Sequence, residues 1–278
     1  MPESTLMRTI RSLWSKWVPG SVRSFAWRMR CWIRTLPYRG TARFCNVCGK
    51  RSGVFAPAGV MHRPDARCVF CGSLERHRFL WRFFGGHSDF LATPPGSLLH
   101  FAPEDCLATR LGGLIGQGYV TGDIERGLAM VQLDISELPF RDQSFDAFIC
   151  SHVLEHVHDD RKAMRELARI LKSSGRAVAI VPIKGERTVE DPSVTESAER
   201  LRLFGQEDHV RVYGADVVGR FEEAGFSVTK VRPTDIVSSD EREMLRIPSD
   251  CEPLFILQHS REERATREPC VPGEVAAA

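Results

Sequence analysis

The chain has 278 residues, of which 42% are hydrophobic and 27% charged, a composition that excludes a disordered or low-complexity protein. No apolar run reaches the ~18–20 residues of a membrane span, and the arginine-rich start shows no signal-peptide pattern, so we expect a cytoplasmic protein with reduced thiols. The charge is uneven: residues 1–44 contain nine lysines and arginines, one acid and four of the five tryptophans, whereas the remainder is weakly acidic.

The basic head, residues 1–40, predicts two amphipathic helices separated by Pro19-Gly20. Each helix has an apolar face with tryptophans, flanked by arginines. Such helices are typical of segments that lie in a membrane interface with their arginines on anionic headgroups, so peripheral contact with an anionic membrane is one hypothesis. The same faces can pack on the body of the protein or on a second subunit, or the arginines can contact RNA.

The segment 41–88 contains two Cys-x-x-Cys-Gly knuckles, with nineteen residues between Cys48 and Cys68. Four sulfurs complete the tetrahedral shell of a structural Zn²⁺, and the glycine after each knuckle accepts the positive φ that turns N–H groups toward sulfur. The candidate ligands are Cys45, Cys48, Cys68 and Cys71. His62 and His77 are spare ligands that four cysteines do not need. The alternatives are two redox pairs or four unligated buried cysteines. A closed shell gives the metal no catalytic role.

The body, residues 97–260, alternates strand-like and helix-like segments, which predicts an α/β fold with a doubly wound, mostly parallel sheet. Five parallel strands are expected at 97–101, 118–122, 129–133, 145–150 and 176–181. A helix over 160–172, capped by Asp159 and ended by Gly175, precedes the fifth strand. A helix over 217–224 and two closing strands at 226–231 and 254–258 follow. The tail, 261–278, lacks periodicity and is expected to be disordered.

Ligands of an open parallel sheet bind beyond the carboxyl ends of its strands. The cofactor-site candidates are therefore the residues at those ends: the loop after the first strand, then Asp123, Asp134 and Ser151. Asp123 follows Phe101 by 22 residues, close to the offset at which an acid binds ribose hydroxyls. Asp134 is placed to reach an adenine edge. An aspartate at a strand end can also simply cap its own loop.

A resemblance to a known family rests on several motifs. The stretch 133–183, which begins LDISELPFRDQSFDAFICSHVLEHVHDD, resembles the central half of class I S-adenosylmethionine-dependent methyltransferases of the type 11 group. CxxCGSLERH at 68–77, HFAPE at 100–104 and LFGQEDHVRVYG at 203–214 resemble a bacterial subfamily with a zinc-ribbon-like front end. The resemblance spans about residues 41–259. It implies a Rossmann-like, seven-stranded fold and S-adenosylmethionine as the cofactor.

The first motif departs from the family pattern, which is a strand followed by Gly-x-Gly-x-Gly. After His100, the first two glycine positions hold Ala102 and Glu104. Ala102 is small enough to tolerate a ligand nearby, and Glu104 can pair with the α-ammonium group of the cofactor. We therefore interpret this loop as a variant cofactor site. The alternative is a site that no longer binds the cofactor.

Methyl transfer requires the acceptor to be aligned with the methyl group, and a base where the acceptor carries a proton. The candidates near the strand ends are His152, Glu155, His156, His158 and His209. We favour His209 as the base because the resemblance places its loop on the substrate side. His152 is the second choice, and Glu155 and His156 are expected to orient the loop. For each histidine, a structural hydrogen bond to a loop carbonyl is the alternative.

Three classes of function fit the sequence. The first is a methyltransferase that acts on a small molecule or a glycan, with oxygen as the acceptor atom. The second is an RNA methyltransferase that holds nucleic acid with its cysteine module and basic head, although the acidic body and the lack of an exposed aromatic ladder argue against it. The third is a non-catalytic binding protein on a degenerate Rossmann fold. The oligomeric state is left open.

Overall fold

The computed structural model describes residues 35–59, 62–86, 90 and 94–260. The two helices predicted in the head and the disorder predicted for the tail, 261–278, concern residues outside these ranges. Within the described ranges, no helix combines the length and the apolar character needed to cross a membrane.

Short strands and helices alternate along the described chain. The strands are β1 Arg43–Cys45, β2 Lys50–Ser52, β3 Ala56–Ala58, β4 Arg63–Arg67, β5 Leu98–Phe101, β6 Tyr119–Asp123, β7 Val131–Gln132, β8 Phe145–Ser151, β9 Leu171–Ile180, β10 Val189–Glu190, β11 Arg211–Val212, β12 Phe226–Val231 and β13 Leu254–His259. The α-helices are α1 Glu75–Phe84, α2 Asp105–Ile115, α3 Asp160–Ile170, α4 Ser197–Phe204, α5 Val217–Glu223, α6 Pro233–Ile236 and α7 Ser239–Leu245.

Seven of these strands form one sheet in the order β12-β13-β9-β8-β5-β6-β7. Strands β5 to β9 run parallel, and β13 is antiparallel to both of its neighbours. The predicted doubly wound, mostly parallel, Rossmann-like sheet is therefore confirmed. The chain builds outward from β5 to β7 and then returns to β8 on the other side of β5. The topological switch point, where such sheets bind ligands, lies between β5 and β8.

Successive residues of the central strands face two separate hydrophobic layers. Leu99 of β5 belongs to the layer that contains α3 and α5, whereas Leu98 belongs to the layer that contains α1, α2 and α7. Side chains alternate along a strand, so a sheet that is covered by helices on both faces has apolar residues at consecutive positions. This explains the continuous apolar runs of β5 and β8.

Helix α3 begins where the sequence predicts and ends earlier. Asp159 caps it, since its carboxylate accepts the Lys162 N–H at 2.9 Å. The prediction that Gly175 ends the helix is wrong, because the helix ends at Ile170 and Leu171 opens β9. Leu171 is fully buried and pairs with β8. Burial of this side chain in the sheet outweighs its helix propensity.

The segment with the cysteine knuckles forms two small antiparallel hairpins, β1–β2 and β3–β4, followed by α1. Phe79, Leu80 and Phe83 of α1 pack in the same hydrophobic layer as β5 and β8. On the same helix, the fully buried Arg78 donates from Nε to the carbonyl of Leu245 in α7. The predicted boundary between a module at 41–88 and a domain at 97–260 thus crosses a shared hydrophobic layer.

Candidate active site and cysteine cluster

The two knuckles bring the four cysteine sulfurs together. All four thiols are free, and their Sγ atoms lie within 4.8 Å of one another. The Sγ atoms of Cys45 and Cys71 are 3.6 Å apart, and those of Cys48 and Cys68 are 3.8 Å apart. Four sulfurs at ~2.3 Å from a tetrahedral Zn²⁺ are separated by about 3.8 Å. The donor set and its spacing therefore fit this ion.

Local backbone geometry supports the cluster. Gly49 and Gly72, the glycines that follow the knuckles, have φ of 74° and 76°. This is the left-handed conformation that the sequence predicts at both positions, and it favours glycine because a Cβ would be strained there. Ser73 places its Oγ 3.1 Å from the Sγ of Cys45.

Charge on the Cys45 thiol suppresses charge on Cys48 and on Cys68. Hydrogen bonds from Cys48 and its neighbours lower the pKa of Cys45, whereas hydrogen bonding to Cys45 raises the pKa of Cys48 and of Cys68. Arg78 brings a fully buried positive charge nearby, and its Nη1 donates to the carbonyl of Ser73 at 2.8 Å. Only a multivalent cation at the centre would stabilise four thiolates together.

Helix α1 follows the second knuckle, and His77 in its first turn contacts the loop after β5, which holds Ala102 and Glu104. The imidazole of His77 accepts the Leu74 N–H at Nδ1, 3.1 Å away, and the same nitrogen lies 3.4 Å from the Cys106 Sγ. With Nδ1 used as an acceptor, Nε2 carries the proton. Nε2 lies 3.1 Å from the Oε1 of Glu104. Burial lowers the pKa of His77, which favours this neutral form.

The carboxylate of Glu104 lies close to three polar groups beyond the end of β5. Besides His77, His100 Nε2 lies 3.0 Å from Oε2, and Ser151 Oγ donates to Oε1 at 3.1 Å. The Nδ1 of His100 lies 2.8 Å from the hydroxyl of Tyr119, which donates to it. Burial opposes charge on the carboxylate, but the hydrogen bonds from His100 and His77 outweigh it and hold the pKa of Glu104 well below its usual range. The site therefore presents an anion.

Ala102 has a φ of 44°, so a residue with a side chain takes a backbone conformation that favours glycine. Its N–H donates to the Gly122 carbonyl in β6 at 2.8 Å. This conformation explains why glycine is common at this position in the family that the sequence resembles. Ala102 keeps the turn of the loop with the smallest possible side chain.

The two strand-end aspartates lie at the same edge of the sheet, and each stabilises its own loop. Asp123 Oδ1 accepts the Glu125 N–H at 2.8 Å. Asp134 Oδ1 accepts both the N–H and the hydroxyl of Ser136 at 2.7 Å, and these bonds lower the pKa of Asp134. The predicted loop-capping alternative is thus present at both positions. In the described part of the chain, the hydrogen bonds of both carboxylates go to Oδ1.

The loop after β8 begins with a strained residue. His152 has a φ of 54°, and its N–H donates to Ile180 at the end of β9. Its Nδ1 lies 3.1 Å from the Oε1 of Glu155. The side chain of Glu155 is fully buried, and neither of its oxygens completes a hydrogen bond of good geometry to any described residue.

His209 faces the same loop from the segment that precedes β11. It is 3% exposed, its Nδ1 lies 3.2 Å from the Phe204 carbonyl, and its buried Nε2 has no hydrogen-bond partner among the described residues. Burial lowers its pKa. Its ring meets that of His156 edge-on, with centroids 4.7 Å apart. Glu155, His156 and His209 each offer a ligand atom, and these atoms lie within 4.8 Å of one another.

Arg211 fixes this loop. Its guanidinium donates to the carbonyls of Leu154, Val157 and His158. It also pairs with Glu190 at 2.8 Å. The side chain of Arg211 is 4% exposed. This buried arginine therefore satisfies three loop carbonyls and ties the β8 loop to β11.

The structure brings the predicted residues into three neighbouring groups. His100, Ala102, Glu104 and Ser151 form one group at the switch point, and Asp123 and Asp134 follow along the edge. His152 and His209 meet at Glu155.

Sequence reasoning missed His77, Tyr119 and Arg211 as site residues. The LERH run after the second knuckle was the available signal for His77, but its contact with Glu104 depends on how α1 packs.

Residues 117–179 match the family described as a methyltransferase domain. This stretch of the chain is similar to methyltransferase domains. Among its relatives, the Bacillus subtilis methyltransferase YcgJ is 36% identical over 90 residues, which are 31% of this chain and 34% of YcgJ. A demethylmenaquinone methyltransferase of Corynebacterium efficiens is 37% identical over 75 residues, which are 25% of this chain and 33% of that enzyme. The chain spans about a third of the length of these relatives.

The chain is also similar to solved structures of methyltransferases. The structure of Bacillus subtilis YcgJ covers 59% of this chain and 92% of its own chain, at 18% identity and a TM-score of 0.37. A Burkholderia thailandensis 1,6-didemethyltoxoflavin-N1-methyltransferase, solved with 1,6-didemethyltoxoflavin and S-adenosylhomocysteine, covers 61% and 73%, at 13% identity and a TM-score of 0.42. Both likenesses concern the fold alone.

Proposed function

We propose that the protein is an S-adenosylmethionine-dependent methyltransferase that acts on a small molecule or a glycan and methylates an oxygen. The observation that carries this proposal is the Glu104 carboxylate, held as an anion at the switch point of the sheet by His77, His100 and Ser151. A carboxylate has about four lone-pair sites, so even with all three of these groups close to it, one site is left for the α-ammonium group of the cofactor.

The other predicted cofactor residues surround the same strand ends. We assign the ribose hydroxyls to the free oxygen of Asp123 and the adenine edge to Asp134. Ala102 leaves room for close approach of the cofactor to the backbone. When bound, the cofactor supplies a methyl group on a sulfonium centre for in-line displacement. The part of the protein is to hold this methyl group and the acceptor in line.

The acceptor side of the site is assigned to the two predicted catalytic histidines. A hydroxyl acceptor loses its proton as its oxygen is methylated, and His209 and His152 are the groups that we assign to this proton. His152 comes one residue after Ser151, which touches Glu104. His209→Ala is therefore expected to lower kcat far more than affinity for the cofactor. An equal loss of both would place His209 at the cofactor instead.

A small-molecule acceptor agrees with the names of the relatives, which include demethylmenaquinone methyltransferases. The proposal is tested by incubating the full chain with methyl-labelled S-adenosylmethionine and a panel of phenols, sugars and quinols, with RNA as the alternative acceptor. Label on an oxygen of a small molecule supports the proposal. Label on carbon of a quinol contradicts the oxygen assignment, and label on RNA supports the second class of function.

We propose further that the cysteine cluster holds a structural Zn²⁺ through Cys45, Cys48, Cys68 and Cys71. Four thiolates close its coordination shell, so the ion stabilises the two hairpins and takes no part in methyl transfer. Because α1 follows directly on this cluster, the ion would also fix the start of the helix that carries His77.

The basic head, 1–40, is proposed to attach an otherwise cytoplasmic protein to anionic membranes. The support is its composition of arginines and tryptophans. The test compares cosedimentation of the full chain and of a form without residues 1–40 with neutral and anionic vesicles. Attachment of the full chain alone, to anionic vesicles alone and weakened by salt, supports the proposal. Identical behaviour of the two forms contradicts it.

A further inference from the structure

We propose that Glu155, His156 and His209 bind a divalent transition-metal ion on the acceptor side of the cofactor site. The three side chains come from the loop after β8 and from the segment before β11. Their ligand atoms lie within 4.8 Å of one another. This group is separate from the cysteine cluster, and it differs in chemistry, with two imidazoles and one carboxylate in place of four thiolates.

The first argument is the state of Glu155. Its carboxylate is fully buried, and the Nδ1 of His152 is the one described group within ion-pair distance. A buried carboxylate loses the free energy of hydration and needs a cation or several hydrogen bonds in return. Neither oxygen has a hydrogen bond of good geometry among the described residues. A metal ion would supply the missing partner.

The second argument is the orientation of the two histidines. His156 Nδ1 lies 3.3 Å from the carboxylate of Asp208, and His209 Nδ1 lies 3.2 Å from the Phe204 carbonyl. When Nδ1 donates a proton to such a group, the lone pair of the ring is on Nε2. Metal-binding histidines are held in this way, with the other ring nitrogen bound to a carboxylate or a carbonyl. The buried Nε2 of His209 otherwise has no partner among the described residues.

The third argument is that both halves of the site are already fixed. Val210, next to His209, donates its N–H to the Glu155 carbonyl at 3.0 Å. Arg211 ties the carbonyls of Leu154, Val157 and His158 to the same segment. The positive charge of Arg211 is balanced by Glu190. The ligands are therefore preorganised, and an ion would bind without ordering a loop.

The donor set selects the kind of ion. Imidazole and carboxylate together suit Zn²⁺, Fe²⁺, Co²⁺ or Ni²⁺, whereas Mg²⁺ and Ca²⁺ prefer oxygen ligands. Three protein ligands leave open positions, unlike the closed shell of four cysteines. Binding of the ion does not depend on the proposed function. Its use does rest on it: an acceptor hydroxyl would occupy an open position of the ion, and its proton would pass to His152, because both ring nitrogens of His209 are then engaged.

The test is titration of the chelator-treated full chain with Co²⁺. A closed four-cysteine zinc site should survive the chelator, so Co²⁺ reports on the second site. We expect about one equivalent to bind, with weak visible absorption and without the near-ultraviolet band of thiolate ligands. Glu155→Gln and His209→Ala should abolish binding. Asp208→Asn should weaken it about 10–100-fold, because it removes the carboxylate behind His156.

His158→Asn is the matched control, since His158 lies in the same loop and is exposed. This variant should bind Co²⁺ as the wild type does. If Glu155→Gln does not fold, the half-buried His156 provides the second variant, His156→Asn. Absence of Co²⁺ binding by the folded wild type, or binding that survives in folded His156→Asn and His209→Ala, overturns the proposal. A thiolate absorption band that appears on addition of Co²⁺ and disappears in Cys45→Ser also overturns the proposal, because the ion is then bound by the cysteine cluster. Affinity for S-adenosylhomocysteine, measured separately, tests the proposed function.

Discussion

The Nε2 of His77 lies 3.1 Å from the Oε1 of Glu104. His77 is in the first turn of α1, the helix that follows the second cysteine knuckle, and Glu104 is in the loop that follows β5. The cysteine cluster and the proposed cofactor site are thus joined by one short helix and one close imidazole–carboxylate contact. Loss of order in the cluster would move His77 away from Glu104.

We predict that Glu104→Gln weakens binding of S-adenosylhomocysteine by about 1.5–3 kcal/mol, the range for a hydrogen bond to a charged group. Calorimetric titration measures this change. Since the pKa of Glu104 is held well below its usual range, the carboxylate stays charged when the pH falls to about 5. Affinity of the wild type should therefore show no titration of this group between about pH 5 and 8.

The control for that experiment is Glu222→Gln, an exposed glutamate of α5, which should bind as the wild type does. Unchanged affinity in folded Glu104→Gln would mean that the carboxylate is a structural partner of His77 and His100 only.

We predict that Asp123→Ala weakens binding of S-adenosylhomocysteine by about 1–3 kcal/mol, because the ribose hydroxyls lose a charged partner. Asp191→Ala is the matched control. Asp191 also accepts an N–H two residues ahead, from Ser193 at 2.9 Å, so this variant loses a similar loop contact. If Asp123→Ala and Asp191→Ala both bind S-adenosylhomocysteine as tightly as the wild type does, Asp123 has no role beyond stabilising its own loop.

For the cysteine cluster, we predict about one zinc per chain after treatment with a chelator, and loss of this zinc in Cys45→Ser together with unfolding of the hairpins. Metal analysis and thermal unfolding measure the two effects. Cys251→Ser, a cysteine outside the cluster, should keep the metal. Stoichiometric iron, or a folded wild type without any metal after careful purification, would disprove the zinc assignment.

The network behind the β8 loop makes a prediction about acid stability. Hydrogen bonds from Arg220 lower the pKa of Glu190 to about 2 against the opposing effect of burial, and Arg211 adds to them. A lowered pKa in the folded state gives stability that is complete above the unfolded pKa of ~4.3 and is lost as the pH falls toward 2. Glu190→Gln should therefore cost roughly 1 kcal/mol at neutral pH, with the difference from wild type shrinking below about pH 4.

Denaturant unfolding at several pH values measures this difference. Glu222→Gln again serves as the control, since its carboxylate is exposed. A difference between wild type and Glu190→Gln that stays constant down to about pH 2 would rule out the network as its source.

Local patterns in the sequence were enough for the mostly parallel sheet, the cap at Asp159, the left-handed glycines and the grouping of the four cysteines. These features depend on spacing and on residues that are close along the chain. Gly175 was misassigned because Leu171 is drawn into the sheet by packing that no local pattern records. The contact between His77 and Glu104 depends on how α1 lies against β5, and Glu155 and His209 meet across 54 residues. Such contacts are set by tertiary packing.

The central claim is that the switch point between β5 and β8 binds S-adenosylmethionine. Calorimetric titration of the full chain with S-adenosylhomocysteine tests it most directly. We predict saturable binding of about one molecule per chain with a Kd in the micromolar range, roughly 1–100 µM, similar to common enzyme ligands. Absence of binding by folded protein that retains its zinc would contradict the claim and indicate a Rossmann fold without a working cofactor site.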